Sequence, residues 1–453
     1  TDGIDYMFQA TEGLPIDVRF MLPSCVPATP MDESGANLDY RAIDSFYDYP
    51  RVQGLAEMMN SYGVIHNDAE VVSKIVASQA HHKKIDGHAP GLQGKDLDTY
   101  VAAGVYSDHE CATMEDALAK LQRGQFIMIR EGTAARNLEA LAPLLTPQYA
   151  ERCMFCTDDK HPSDLLEKGH IDYIAREAIN KYGVDPIIAV KAACHHASRY
   201  FLLNNRGAIA PGYLADFAVI DNFKDFNVEM VFKKGVLYWN NGELRDFEAP
   251  KIEEYLDKRA HDTFHVSTLT PDDFRDTRQR GVLGMVPGEI ITTDNGYADH
   301  VDLEKDILKI AVVERHKGTH HIGLGYIQGY GLKSGAVATS ISHDSHNIIV
   351  VGTNSADMAF AANYIVEHHG GIVVVENGTV KGSVVLEIAG IMSDRPLTEV
   401  NDQLEAAKDA AFTLGVSRGI DPFMTLSFMA LPVIPKLRIT TRGVVDVDTQ
   451  QYV

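Results

Sequence analysis

The sequence is poor in three features that mark specialised classes of protein. No apolar run approaches the roughly 20 residues that cross a bilayer, which argues against a membrane protein. The chain carries 63 acidic against 41 basic residues and no cluster of Lys and Arg, which argues against nucleic acid or an anionic membrane as partner. Its 5 cysteines are scattered and odd in number, so we expect no disulfide framework and a reducing cytoplasm.

What the chain does contain is enough apolar material for a large core and more than one domain. Of its 453 residues, 45% are hydrophobic. Between residues 17 and 160, short apolar runs alternate with helical patterns, which is typical of parallel β/α units. Asn67 and Thr113 are predicted to start two of these helices. The predicted strands are DVRFMLP (17–23), VQGLAEMM (52–59), KKIDGH (83–88), GVYSDH (104–109), FIMIRE (126–131) and RCMFCTD (152–158).

Four of these strands end in a residue that can bind a metal or move a proton: Glu57, His88, His109 and Asp158. The gaps between them are too long for one local motif. In a (β/α)8 barrel the carboxyl ends of the strands converge on one face, so we predict that these side chains meet there. Six strands do not close such a barrel, and residues 1–13 resemble a helix that continues from an earlier unit. We therefore expect about two β/α units before Thr1.

A single histidine or carboxylate at a strand end can equally be an ordinary hydrogen-bonded residue. We favour a functional interpretation because four such residues share this position. Imidazoles and carboxylates are ligands of Zn²⁺, Fe²⁺ and Mn²⁺, and a central carboxylate can bridge two ions. Two ions would lower the pKa of a shared water molecule to near neutrality.

Beyond the barrel, the pattern changes three times. Residues 1–203 are assigned to the partial barrel and 204–246 to a small β domain with Pro-Gly and Asn-Gly turns. Residues 247–283 are charged and are expected to form an irregular connection. Residues 284–453 are predicted to form a separate α/β domain.

Several motifs together resemble those of the bacterial adenine deaminases, a family within the amidohydrolase superfamily. They are, in chain order, LPSCVPATP, GLAEMMN, DGHAPGL, SDHE, IREG and CTDD. The run GAIAPGYLADFAVID is similar to the segment with which many amidohydrolases resume their β domain, and SISHDSHNIIVVG resembles a distinctive segment of the adenine deaminase C-terminal domain.

The resemblance implies a (β/α)8 barrel that catalyses hydrolytic deamination of adenine to hypoxanthine and ammonia. In such a site a metal-bound hydroxide attacks the purine, with two ions expected to be Mn²⁺ or Fe²⁺ and with Zn²⁺ as an option. By the resemblance, His88 and His109 bind metal, Glu57 bridges the ions, and Asp158 binds metal and shuttles the proton. The family's first His-x-His pair does not occur in the sequence.

Other interpretations stay open at this point. Glu131 could act on a ring nitrogen or form a salt bridge with Arg130 or Arg136. The segment SHDSHN, with His343, Asp344 and His346, could reach the purine or form a hydrogen-bonded loop, and for HKGTHH (316–321) we favour the loop. Alternative functions are an amidohydrolase acting on a cyclic amide or another aminopurine, or a binding or assembly module if the chain starts at Thr1. A cytoplasmic homo-oligomer is expected.

Overall fold

The computed structural model describes residues 1–276, 278–286 and 289–453. The chain divides into two compact units. The N-terminal unit contains Gly3–Ser24 and Leu38–Ile252, and the C-terminal unit contains Cys25–Asn37 and Glu253–Val453. A short segment that follows the first strand therefore belongs to the C-terminal unit.

All six predicted strands of the N-terminal unit are confirmed, although each is shorter than its apolar run. They are β1 (Phe20–Leu22), β2 (Val52–Met58), β3 (Lys84–Gly87), β4 (Ser107–Asp108), β5 (Phe126–Arg130) and β6 (Cys153–Cys156). They form two parallel sheets, with the orders β1-β2-β3 and β4-β5-β6. Tyr106 N, just before β4, donates to Ile85 O of β3 at 3.0 Å, which links the two sheets.

Helices separate these strands, as parallel connections require. They are α1 (Asp2–Ala10), α2 (Tyr40–Asp44), α3 (Ser61–Ile65), α4 (Ala69–Ala80), α5 (Gly94–Ala102), α6 (Met114–Gln122), α7 (Leu138–Leu141), α8 (Pro162–Glu167), α9 (Ile171–Asn180), α10 (Pro186–Val190) and α11 (His196–Tyr200). A π-helical turn at Lys191–His195 joins the last two of these helices.

The start of α6 is as predicted, whereas the start of α4 is one residue later. The Thr113 side chain accepts a hydrogen bond from Asp116 N at 3.2 Å and caps α6. At α4 the cap is Asp68, which accepts from Glu70 N at 3.0 Å. Asn67 has a φ of 57° and lies outside the helix, so the aspartate that follows it is the first side chain able to reach the free amides.

The core of the second parallel sheet lies between the sheet and its helices. Ile127 and Ile129 of β5 and Phe155 of β6 are buried in one apolar cluster with Ala117 of α6 and Ile174 of α9. Beyond this core, the predicted small β domain contains four antiparallel strands in the order β10-β9-β8-β7. They are β7 (Phe217–Ile220), β8 (Val228–Lys233), β9 (Val236–Asn240) and β10 (Glu243–Leu244).

The expectation of an irregular connection at 247–283 is wrong. This segment contains α12 (Glu254–His261), a 3₁₀ turn at Pro271–Phe274 and the start of the next strand. Its few apolar side chains explain the difference, because Leu256, Leu269 and Phe274 are almost completely buried. A charged sequence therefore adopts regular structure here because its scattered apolar residues pack into a core.

The C-terminal unit is built on a mixed eight-stranded sheet in the order β12-β11-β14-β13-β16-β15-β17-β18. Its elements are β11 (Arg280–Met285), β12 (Thr292–Ala298), β13 (Ile307–Val313), β14 (Ile322–Gln328), β15 (Ala336–Thr339), β16 (Ile348–Gly352), α13 (Ser355–Glu367), β17 (Gly371–Glu376), β18 (Thr379–Val385), α14 (Leu397–Thr413), α15 (Met424–Phe428), β19 (Leu437–Thr440), β20 (Gly443–Asp446) and β21 (Gln451–Tyr452). Met358 and Ile365 of α13 pack against Val350 and Val373 of the sheet.

The same unit includes a second, three-stranded antiparallel sheet, in the order β19-β20-β21. None of the helices in the described parts of the chain is both long enough and apolar enough to cross a membrane.

Candidate metal centre

Three of the predicted ligands meet at the carboxyl ends of neighbouring strands. Glu57 lies near the end of β2, His88 follows β3 directly and His109 follows β4 directly. Glu57 Oε2 is 3.1 Å from His88 Nδ1 and 3.1 Å from His109 Nε2. One donor atom from each of the three residues lies within 4.8 Å of the others. The sequence prediction that these side chains converge is therefore correct in geometry.

Asp158 lies beside His109 and beside Glu110, a residue that the sequence analysis did not identify. Donor atoms of His109, Glu110 and Asp158 also lie within 4.8 Å of one another. Glu110 Oε1 is 3.4 Å from His109 Nε2 and 3.7 Å from His88 Nδ1, and the Glu110 side chain is only 4% exposed. Its position directly after a predicted ligand histidine, in SDHE, was the available signal.

Arg130, the last residue of β5, joins the two carboxylates. Its guanidinium donates to both Glu110 oxygens, with Nη2 to Oε2 at 3.1 Å, and Nη1 also donates to Asp158 Oδ2 at 2.7 Å. The hypothesis of a salt bridge between Arg130 and Glu131 is thus wrong. Successive side chains along a strand point to opposite faces, so the side chain of Glu131 is directed away from that of Arg130.

Charge pairing determines the protonation of these groups. Loss of solvent raises the pKa of Glu57, but hydrogen bonds from His109 and His88 outweigh it and hold that pKa well below its usual value. Burial lowers the pKa of His109, but Glu57 and Glu110 raise it to about 10. Burial raises the pKa of Asp158, and Arg130 only partly offsets this effect.

Hydrogen bonds among the neighbours of His88 and His109 fix the positions of these two histidines. Asp108 Oδ1 accepts from Ala89 N at 2.8 Å, and Asp108 Oδ2 accepts from Lys120 Nζ at 2.9 Å. Lys120 Nζ also donates to Ala89 O at 2.8 Å, and its side chain is fully buried. Because Ala89 follows His88 and Asp108 precedes His109, these bonds connect the two backbone segments that carry the imidazoles.

The donor set fits a divalent transition metal. Two imidazoles and a carboxylate converge with a further carboxylate near by, and these are the ligand types of Zn²⁺, Mn²⁺ and Fe²⁺. The histidines face carboxylate oxygens at hydrogen-bond distance, so a cation at this place would replace protons that the groups now share.

Glu131 has a local structural partner. Its Oε1 accepts from Leu138 N at 3.1 Å, at the start of α7, and loss of solvent raises the pKa of its carboxyl group. The donors of Arg136 reach the carbonyl oxygens of Gly132 and Thr133, both at 3.0 Å. A catalytic role for Glu131 stays a prediction.

The histidine-rich segments belong to the C-terminal unit. His343 Nδ1 is 3.2 Å from Asp344 Oδ1, and the His343 ring stacks on Phe428. His346 Nδ1 accepts from Ser342 N at 3.3 Å. Their proposed contact with substrate stays a prediction.

In HKGTHH the histidines are hydrogen-bonded to residues of other segments of the C-terminal unit, which is consistent with the loop interpretation. His316 Nε2 lies 2.6 Å from Ser345 O, and His320 Nε2 lies 3.1 Å from Asp273 Oδ1. His321 Nδ1 lies 3.0 Å from a carboxylate oxygen of Glu33.

Comparison with known proteins finds matches over both units. The Amidohydrolase family matches residues 1–238, and the Adenine deaminase C-terminal domain matches residues 289–451. The first match assigns the parallel β/α region to a TIM-barrel-type amidohydrolase fold.

Three curated relatives are named as adenine deaminases. Adenine deaminase from Desulfatibacillum aliphaticivorans is 45% identical over 460 residues, which cover 100% of this chain and 80% of the relative. Adenine deaminase from Nitratidesulfovibrio vulgaris (strain DP4) is 45% identical over 99% of this chain and 79% of its own length. Adenine deaminase 2 from Carboxydothermus hydrogenoformans is 42% identical over the same shares of each chain. With both domains matched in order and this identity along the whole chain, the protein belongs to the adenine deaminase family of amidohydrolases.

Proposed function

We propose that this protein catalyses the hydrolysis of adenine to hypoxanthine and ammonia. The observation that carries the proposal is the convergence of Glu57, His88 and His109 at strand ends, with Asp158 close to His109, in a chain of this family. Water adds at C6 of the purine and the exocyclic amine leaves as ammonia, so the atoms balance with one water consumed.

Glu57, His88 and His109 would hold a divalent ion, and Asp158 would be a further ligand. The place of Glu57 between the two imidazoles supports a bridging role and hence a pair of ions, with Mn²⁺ or Fe²⁺ as the expected metals and Zn²⁺ as an option. When bound, such ions supply the Lewis acidity that lowers the pKa of a water molecule toward neutrality.

Asp158 is proposed to move the proton. Its carboxylate is 28% exposed and is oriented by two donors, Arg130 Nη1 and Asp159 N, each at 2.7 Å. It takes a proton from the attacking water and delivers it to the purine or to the departing amine, which is the task of a general base that becomes a general acid.

The test is ammonia release from adenine, measured together with bound metal per chain. We expect Asp158→Asn to lower kcat by about 100-fold or more while the metal stays bound, because a positioned proton-transfer group contributes at least that much. The matched control is Asp98→Asn, an exposed aspartate on α5 that pairs with Arg123. Full activity of Asp158→Asn with its metal intact would contradict the assigned role.

A substrate panel tests the reaction class separately. Adenine, guanine, cytosine and dihydropyrimidines are offered to the metal-loaded protein, and we expect turnover of adenine. Preference for a cyclic amide or for another aminopurine would instead identify a different amidohydrolase activity.

A further inference from the structure

Arg130 occupies the central position among three strand ends. Strand β5 lies between β4 and β6, and Arg130 is its last residue. Glu110 follows β4 by two residues, and Asp158 follows β6 by two residues. The guanidinium therefore lies between the two carboxylates and contacts both of them.

Glu110 fixes the orientation of this guanidinium. Both of its oxygens accept from Arg130, and this bidentate hydrogen bonding fixes the plane of the guanidinium. Glu110 is itself held by its backbone amide, which donates to Asp108 Oδ2 at 3.0 Å. Because both oxygens accept from Arg130, Glu110 anchors the arginine.

Arg130 in turn restricts Asp158. Oδ2 of Asp158 accepts from Arg130 Nη1, and Oδ1 accepts from Asp159 N. With one donor on each oxygen, the carboxylate is held in a single orientation relative to the neighbouring His109. Catalytic efficiency depends on such orientation, because misplacement by about 1 Å costs about 100-fold in rate.

We propose that Arg130 is a positioning residue for Asp158 and that Glu110 holds Arg130 in place. This inference rests on the proposed function, since it assigns a purpose to the orientation of Asp158. The Arg130 guanidinium is a hydrogen-bond donor and not itself a ligand for an ion, and its proposed role is to direct the carboxylate of Asp158.

The experiment compares Arg130→Met, Arg130→Lys and Glu110→Gln. We expect kcat for adenine to fall about 10- to 100-fold in Arg130→Met, with KM and the bound metal per chain unchanged. Arg130→Lys should recover part of kcat, because the lysine ammonium can contact one carboxylate but cannot make a bidentate pair with Glu110. Glu110→Gln should lower kcat less than Arg130→Met does.

Removal of Arg130 alone leaves a buried carboxylate without its partner and can prevent folding. The double variant Arg130→Met, Glu110→Gln removes both charges and is measured alongside. The matched control is Arg123→Met, an arginine of the same unit whose partner Asp98 is exposed. Equal kcat in Arg130→Met and Arg123→Met, or loss of metal from both Arg130→Lys and the double variant, would overturn the proposal.

A structural measurement separates this inference from the proposed function. Crystal structures of the wild-type protein and of Arg130→Met, or of the double variant where Arg130→Met does not fold, are expected to differ in the side-chain torsion of Asp158. An unchanged Asp158 overturns the positioning role even if adenine is deaminated. Conversely, absence of adenine turnover in the wild-type protein refutes the proposed function, while a rotated Asp158 still supports the role of Arg130.

Discussion

At the scale of single residues, the buried charges at and around the candidate metal centre have specific partners. Glu57 would be costly near the end of an apolar strand, and two imidazoles meet it there. Lys120 is fully buried and is compensated by Asp108 and Asp116, at 2.9 Å and 3.1 Å. A buried ion pair contributes little net stability but is costly to break on one side. These pairs therefore mainly fix the positions of the charged side chains.

Asp32, in the C-terminal unit, is a buried carboxylate whose pKa is raised. Burial raises its pKa from 3.8 to about 6, against hydrogen bonds from Ser345 Oγ and Glu33 N, and the nearby Asp344 adds to the rise. The folded protein thus holds this proton more tightly than the unfolded chain does. Its contribution to stability is fully present below pH 3.8 and is lost as the pH rises through about 6.

We therefore predict that Asp32→Asn gains stability over the wild-type protein as the pH rises. The difference in free energy of unfolding should change by about 2 kcal/mol from about pH 4.5 to about pH 7.5, measured by urea titration at each pH. Asp394→Asn, an exposed position of the same unit, serves as the control. A difference that does not change with pH would refute the assigned shift.

At the scale of elements, the close approach of β3 and β4 brings His88 and His109 together. Gly87, the last residue of β3, lies against the backbone of β4. A Cβ atom at this position would be 2.0 Å from Ser107 O and 2.8 Å from Val105 Cγ1. The absence of a side chain at this position allows the two strand ends to lie close enough for their histidines to contact one carboxylate.

We predict that Gly87→Ala separates these strand ends. The substitution should lower the free energy of unfolding by about 1 to 3 kcal/mol, as overpacking does, and should weaken metal binding because His88 is the next residue. Urea unfolding and a metal titration measure the two effects. Gly3→Ala, where no atom lies within 4 Å of the added carbon, is the control. Wild-type metal affinity in Gly87→Ala would contradict this account.

At the scale of the whole molecule, the candidate metal centre belongs to one of two compact units. Each unit has its own apolar core, and every residue of the centre lies in the N-terminal unit. The chain contains 1 tryptophan, Trp239, in β9 of that unit. Its fluorescence therefore reports on the unit that carries the metal ligands.

We predict that removal of metal by a chelator lowers the unfolding midpoint reported by Trp239. An ion that binds only the folded state stabilises it by about 4 kcal/mol when its concentration is about 1,000 times the dissociation constant. Glu57→Gln, which loses the central ligand, should show a much smaller response to the chelator. Identical midpoints of the wild-type protein with and without chelator would show that no stabilising ion is bound.

The strands and their polar ends could be read from the sequence because both are local properties. Short apolar runs between helical patterns predicted β1 to β6, and the positions of Glu57, His88 and His109 at their ends predicted the convergence that the structure has. The same approach was wrong for 247–283, where a few apolar side chains order a charged segment.

The amino-acid sequence alone specifies the alternation of strands and helices, the ligand-type residues at the strand ends and the motifs of the family. The pairing of the charges is set by the three-dimensional fold: Glu110 pairs with Arg130, Arg130 with Asp158, and Lys120 with Asp108. The physical reason is that periodicity reports which face a side chain takes along its own strand. Pairing across strands depends on register, on side-chain reach and on the close approach of backbones at residues such as Gly87.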